Sequence, residues 1–231
     1  MRYDFSTYRS SDIARKLAVA GFRPFDMMVT GATGAGKSTT LNALFKRTVA
    51  TVGDGVDPET MELDAYSLSD VFRVWDTPGL GDGVAQDKVH QRKLEELLRK
   101  TYGMADGHYG FIDLALVVID GSSRDLGTAY RLLNDVIVPN LEGSRIIVAV
   151  NQADFAMKGH HWLSEECTPD ARLQEFLDEQ ALSIQRRVLE ATGVAIARPV
   201  CYSAKWGYGM NTLFDRIVDQ MPQRRRPCPR R

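Results

Sequence analysis

The sequence predicts an α/β domain in three layers, a mainly parallel sheet with one antiparallel strand and helices on both faces. Three observations lead there. Strand-like and helix-like segments alternate, the order that builds right-handed β-α-β units. Four strand candidates are nearly unbroken apolar runs, as strands covered on both faces should be. A glycine-rich turn, Gly31-Ala32-Thr33-Gly34-Ala35-Gly36-Lys37-Ser38, directly follows the first run. The predicted strands are residues 25–29, 71–75, 113–119, 146–150 and 199–202, with 63–68 as the antiparallel partner. Helices are predicted over 12–20, 38–46, 87–102, 127–138, 170–191 and 212–221, several opening on Asp, Ser or Thr caps. In helix 87–102, Val89, Leu94, Leu97 and Leu98 fall at amphipathic spacing and are expected in the core. Residues 48–58 and 155–169 read as long loops.

With 44% hydrophobic and 26% charged residues over 231 positions, the chain suits one domain with a sizeable core. The expected organisation is a helical extension over 1–24, the main domain over 25–221 and a basic tail over 222–231. A formal net charge of −1 gives no global attraction to nucleic acid, although residues 223–231 carry five arginines. Cys167, Cys201 and Cys228 are odd in number and lack metal-ligand spacing, so free thiols in a reducing compartment are expected. The start, Met1-Arg2-Tyr3-Asp4, lacks a signal-peptide apolar core, and apolar runs such as 114–119 are too short to span a bilayer. A cytoplasmic protein is expected. Cys228 stands fourth from the end, but Pro229, Arg230 and Arg231 do not supply the aliphatic residues of a prenylation signal.

The turn after the first strand has the pattern Gly, four residues, Gly-Lys-Ser. Its backbone N–H groups can curl around a polyphosphate, Lys37 reaches the β/γ oxygens, and the Ser38 hydroxyl is left for Mg²⁺. The helix that follows turns its positive end to the phosphates. A second constellation, Asp76-Thr77-Pro78-Gly79, ends strand 71–75. Asp76 can take Mg²⁺ through water, and the Gly79 N–H can meet a γ-phosphate that exists only before hydrolysis. A third, Asn151-Gln152-Ala153-Asp154, ends strand 146–150, where the Asp154 carboxylate can accept the N1 proton and exocyclic amine of guanine. The fourth, Ser203-Ala204-Lys205, is a turn whose backbone N–H can reach guanine O6. Asp-x-x-Gly and the last tripeptide are weak alone. Their order counts, because all four fall at C-terminal strand ends, where open α/β sheets bind ligands.

With those motifs in that order, the chain resembles the small-GTPase family and, within it, the Era-like group of TRAFAC-class P-loop GTPases. It looks most similar to the bacterial prophage-associated GTPases found beside toxin–antitoxin genes, over about residues 25–221. The resemblance implies a three-layer P-loop NTPase fold and Mg²⁺-dependent binding of GTP and GDP, with hydrolysis of GTP as a molecular switch. It places Gly34, Ala35, Gly36, Lys37, Ser38 and Thr39 at the phosphates and Asn151, Asp154, Ser203, Ala204 and Lys205 at the base. It assigns Ser38, Thr60 and Asp76 to the metal and Lys37, Thr60 and Gly79 to the chemical step. Thr60, in Asp57-Pro58-Glu59-Thr60, is the first-switch threonine, with Thr51 as competitor; the segment from Gly79 into helix 87–102 is the second switch.

Three departures matter. Leu80 stands where Ras-like members carry a water-orienting glutamine, so intrinsic hydrolysis is expected to be slow. Asp82 is a substitute candidate, against the plainer identity of a solvated loop carboxylate. Gly34 replaces the asparagine that supports potassium stimulation, and Gln152 replaces the lysine that packs over guanine. Expected partners are GTP and GDP, a nucleotide-dependent homodimer and a protein effector. The arginine tail is read either as a contact for RNA, ribosome or membrane or as a solvated end. No RNA-binding module is recognisable after Met221.

His90 and His108 lie in polar context, and the pair His160-His161 lacks a third ligand, so no Ser-His-Asp, Cys-His or metal centre is expected. Trp75, Trp162 and Trp206 are read as packing residues, with Trp206 alternatively near the base edge. Two rival classes stand beside a GTPase. One is a phosphotransferase or ATPase using the same loop, which would prefer ATP; the other is a GTP-dependent assembly module with little hydrolysis.

Overall fold

The protein is described from a computed structural model, which describes residues 7–21, 24–45, 50–51, 64–69, 72–81, 83–104, 107–123 and 126–228. The elements run α1 (Ser10–Ala20), β1 (Phe25–Gly31), α2 (Lys37–Phe45), β2 (Ala50–Thr51), β3 (Asp64–Ser69), β4 (Phe72–Asp76) and α3 (Val84–Arg99). They continue with β5 (Thr101–Met104), β6 (Gly107–Gly110), β7 (Leu114–Asp120), α4 (Gly127–Arg131) and β8 (Ile146–Asn151). Then follow β9 (Trp162–Leu163), β10 (Thr168–Pro169), α5 (Ala171–Thr192), β11 (Val200–Cys201) and α6 (Met210–Asp219).

The main sheet has the order β11-β8-β7-β1-β4-β3-β2. β1, β4, β7, β8 and β11 pair in parallel, and β3 runs against both β4 and β2. Strand side chains alternate between two cores. Met27, Val29, Leu116 and Val118 face a core completed by Leu17 of α1, Leu44 of α2 and Phe214 of α6. Met28, Ala115, Val117 and Val148 face the other, completed by Leu94 and Leu98 of α3, Leu133 and Ile137 after α4, and Ile184 of α5. This is the predicted three-layer P-loop GTPase architecture.

Several predicted boundaries move. The helix predicted over 87–102 is α3, ending at Arg99; Lys100 turns extended (φ −57, ψ 141), and Thr101–Met104 pairs with β6. The competing force is tertiary, because Tyr102 packs edge-on against Phe111, their ring centroids 6.5 Å apart. His108 is therefore a strand residue. Val89, expected in the core, is 44% exposed, while Leu94, Leu97 and Leu98 are buried. Residues 127–138 form α4 and then a π-helical turn, Leu132–Ile137, with Leu132, Leu133, Val136 and Ile137 all buried. The stretch read as a loop over 48–58 contains the edge strand β2, with Thr51 opposite Tyr66. The 155–169 stretch is structured by the β9–β10 pair. α1 is fastened to α6 by Leu17 and by Tyr8, whose ring lies 5.7 Å from that of Phe214.

The end of the described chain is a strap, and two of its arginines, Arg225 and Arg226, are used internally. The Gly110 N–H donates to Arg226 O at 2.9 Å, and Tyr109 bridges Pro227. Arg226 is buried at 4% exposure, donating to the carbonyls of Asn140 (3.1 Å) and Leu98. Arg225 lies over the rings of Tyr102 and Tyr109. Beneath the strap sits a buried charged cluster at the N-terminal ends of β1 and β7. Arg73 grips both carboxylate oxygens of Asp26, at 2.8 and 2.9 Å, and Trp75 Nε1 donates to one of them at 2.7 Å. Arg145, 2% exposed, donates to the carbonyls of Asp113 (3.0 Å) and Arg224 (2.7 Å).

Two outcomes follow from this cluster. Arg226→Ala strands two buried carbonyls and is expected to lower unfolding free energy by about 2–4 kcal/mol, read from the urea midpoint. Burial pushes the Asp113 carboxyl up to about 8, against an ordinary value of 3.8. Across that window the folded chain holds a proton that the unfolded chain has released, so this residue makes stability fall as pH rises and level off above about 8. Asp113→Asn, which stays neutral, is expected to flatten that component in a series of urea midpoints across the window.

Candidate nucleotide-binding site

The predicted motifs converge at the C-terminal edge of the parallel strands. β1 runs into the glycine turn, and Val29 sits beside Asp76 in the parallel register of β1 and β4. β7 and β8 end side by side, Asp120 opposite Asn151. The turn closes with Gly34 and Gly36 at φ 80 and 86, a region that glycine enters without strain. At Gly36 a side chain is excluded outright, because its Cβ would run into the Asn151 amide.

Asn151 is the joint of the site. Only 4% exposed, it donates from Nδ2 to Ala35 O at 3.0 Å and accepts the Ala204 N–H on Oδ1 at 3.1 Å. One amide thus ties the glycine turn to the turn after β11. Gln152, in left-handed backbone (φ 61), donates to Gly34 O at 3.1 Å and accepts from Ser122 Oγ at 3.3 Å. The residue that departs from the family lysine still grips the glycine turn, but as a neutral group. Asp154 accepts from Ser203 Oγ on Oδ1 at 2.7 Å and from Trp206 Nε1 on Oδ2 at 3.0 Å. A groove of about 470 Å³ is lined by Gly34, Gly36, Thr39, Asn151, Asp154 and Lys205 among others.

Lys37 opens α2 and lies within reach of the Ala32 (3.3 Å) and Gly31 (3.5 Å) carbonyls. Ser38 and Thr39 are exposed beside it, at the positive end of the helix. Ser38, in the first turn of α2, and Asp76, at the end of β4, carry hard oxygen donors of the type that suits Mg²⁺. Thr60, the third predicted metal ligand, and Asp82 lie outside the described residues. Among the described residues no cluster of three or more His, Cys, Asp or Glu side chains forms a metal centre. His161 is instead paired with Asp170 at 2.7 Å. The thiols are free, and burial pushes that of Cys201 up to about 12.

The segment that follows Asp76 lies against the glycine turn. Thr33 N–H donates to Leu80 O at 2.7 Å and Leu80 N–H to Gly31 O at 3.3 Å. A Cβ on Gly79 would come within 2.7 Å of Thr33 N, so only glycine permits this approach. Leu80 turns its side chain into the core at 6% exposure and cannot orient water.

Three neighbours escaped the sequence reading. His90, expected in a polar setting, is 9% exposed and places Nδ1 2.7 Å from Gly79 O. Its position on the polar side of an amphipathic pattern concealed this. Phe155 lines the groove next to Asp154 with 56% of its surface exposed. A large apolar residue directly after the base motif was a readable signal. Trp206, read as packing with the base edge as the alternative, donates a hydrogen bond to Asp154, a specific contact that no short-range pattern announces.

The family described as 50S ribosome-binding GTPase matches residues 26–152. The tRNA modification GTPase MnmE of Phocaeicola vulgatus is 32% identical over 132 residues, 56% of this chain and 24% of that protein. GTPase Der of Ruegeria pomeroyi is 26% identical over 211 residues, 90% of this chain and 37% of that protein. The chain spans 16% to 37% of the length of the curated relatives it matches. Toc33 from Arabidopsis thaliana, solved in complex with GDP and Mg²⁺, shares the fold with a TM-score of 0.63 at 15% identity, covering 96% of this chain and 95% of that one. No helix among the described residues is long and apolar enough to cross a membrane. The chain belongs to the 50S ribosome-binding GTPase family and carries its GTPase domain.

Proposed function

We propose that this domain is a Mg²⁺-dependent cytoplasmic switch that binds GTP and GDP and hydrolyses GTP slowly. The observation that carries the reading is the Asn151 bridge, which holds the phosphate turn and the base turn around one groove. In this reading the backbone N–H groups of Gly34, Ala35 and Gly36, with Lys37, Ser38 and Thr39, hold the phosphates. Asn151, Asp154, Ser203, Ala204 and Lys205 form the base pocket. Two acceptor oxygens on Asp154 match the two adjacent donors of guanine, and adenine has no such pair at that edge. The uncovered ring of Phe155 offers a face for the base to stack on.

Phosphoryl transfer needs positioning and charge neutralisation above all. Lys37 supplies a fixed positive charge, and the Gly79 N–H supplies a donor whose peptide chain His90 anchors through the next carbonyl. Ser38, Asp76 and the first-switch Thr60 would hold Mg²⁺, which would supply further charge neutralisation to the phosphates. Leu80 is buried and offers no polar group to the attacking water, which is why intrinsic turnover is slow. The water-positioning group comes from Asp82, from an effector or from a second copy in a nucleotide-dependent homodimer. The same features support the alternative of a GTP-dependent assembly module with little hydrolysis. The finer resemblance to the prophage-associated branch belongs to this reading too. RNA, ribosome or membrane contact through the tail is the weakest part of it, because Arg225 and Arg226 are engaged within the fold.

Turnover of GTP and ATP with Mg²⁺, measured across a protein concentration series, tests the proposal. GTP preference is expected, rising faster than linearly if a homodimer activates and linearly if the monomer acts alone. Lys37→Ala is expected to abolish turnover with an unchanged melting temperature, and Asp154→Asn to shift preference from GTP to xanthosine triphosphate. ATP preference, or full activity in Lys37→Ala, would overturn the reading.

A further inference from the structure

We infer that Trp206 is a specificity-determining residue of the base site, its indole N–H fixing the Asp154 carboxylate in the orientation that distinguishes guanine from bases with fewer donors. The inference rests on the proposed reading of Asp154 as the guanine-binding group and adds to it a residue outside the four motifs.

The geometry divides the carboxylate into two jobs. Ser203 Oγ holds Oδ1 at 2.7 Å and Trp206 Nε1 holds Oδ2 at 3.0 Å. An ionised carboxylate accepts at about four lone-pair sites, so these two donors leave roughly one site on each oxygen for a ligand. With both oxygens tethered, rotation of the carboxylate about its terminal bond is restrained, and the two remaining acceptors keep a fixed spacing. Guanine, which presents two adjacent donors, gains from that spacing. Hypoxanthine, which presents one, gains much less.

Trp206 is itself held from behind. Its backbone N–H donates to Ser203 Oγ at 3.3 Å, so donor and backbone share one turn. Trp162, from β9, sets its ring 6.1 Å from that of Trp206 and meets Tyr208 edge-on at 5.8 Å. Tyr208 in turn donates to Gln174 on α5 at 2.7 Å. The stretch between Asp154 and α5 thereby buttresses the base reader, which gives the β9–β10 pair a role in recognition. Lys205 Nζ lies 5.2 Å from the Trp206 ring centroid, so the flanking cation steadies the same indole.

The test is Trp206→Phe, which keeps an aromatic ring against Trp162 and removes the indole N–H donor. GDP, IDP and ADP binding are measured by calorimetry with Mg²⁺ on the full chain, with a melting curve as control. The expected result is that the preference for GDP over IDP narrows about tenfold, the scale of one hydrogen bond to a charged group, while IDP affinity stays within about twofold. Equal losses for GDP and IDP, or no change in either, would overturn the inference, since a packing role does not separate the two ligands. In the wild type, the Trp206 indole N–H resonance, assigned by its disappearance in Trp206→Phe, is expected to shift on adding GDP and to shift less with IDP; identical shifts with the two ligands would count against it. Wild-type protein that binds GDP no better than ADP would overturn the guanine reading itself, an outcome distinct from a failure of Trp206 alone.

Discussion

A single buried amide carries the site. The glycine turn belongs to β1, the base motif to β8 and the last turn to β11, and these are brought together from positions 116 and 53 residues apart in the chain. Asn151 satisfies a carbonyl of the first and an N–H of the last from a position with 4% exposure. A buried amide with one partner missing costs the desolvation of the stranded group, about 1–3 kcal/mol, so the two turns favour each other's native placement. The absence of a side chain at Gly36 follows from the same amide, since a Cβ would occupy its place. Gln152 adds a parallel tie from Gly34 to Ser122.

The opposite end of the sheet is held by charge. Asp26, Arg73, Arg145 and Arg226, with Asp113 that keeps its proton up to about pH 8, meet where β1 and β7 begin, all largely removed from water. Burying ions is costly unless their hydrogen bonds are supplied, and the arginines here find carbonyls as well as carboxylates. The strap closes over them and pins the β5–β6 hairpin, so the two ends of the sheet have separate tasks. One end is apolar packing locked by ions; the other is open backbone held by amides and ready for a ligand.

Much of both was legible in the chain. Unbroken apolar runs located β1, β7 and β8 to within a residue or two, because strands covered on both faces have little freedom in composition. The positions of the glycine turn, Asp76 and the Asn151 motif at strand ends were legible for a related reason, since each directly follows an apolar run in the chain. The misreadings share a cause. Helix periodicity alone carries α3 on past Arg99, and only the aromatic packing of Tyr102 on Phe111 and the hairpin beyond show why it stops. Val89 fits an apolar stripe that the core does not reach.

The sequence by itself determined the layered α/β architecture, the glycine turn and the order of the motifs along the sheet edge. These are set by patterns within short windows, where periodicity and backbone geometry act. Tertiary structure alone decided that His90 meets Gly79, that Trp206 holds Asp154, and that Arg226 of an apparent basic tail is buried. Each of those depends on a partner from another element, with Arg226 reaching a carbonyl 128 residues away. A cation reads as solvated in sequence until the fold supplies the carbonyls that replace its water, and local pattern has no means of announcing them.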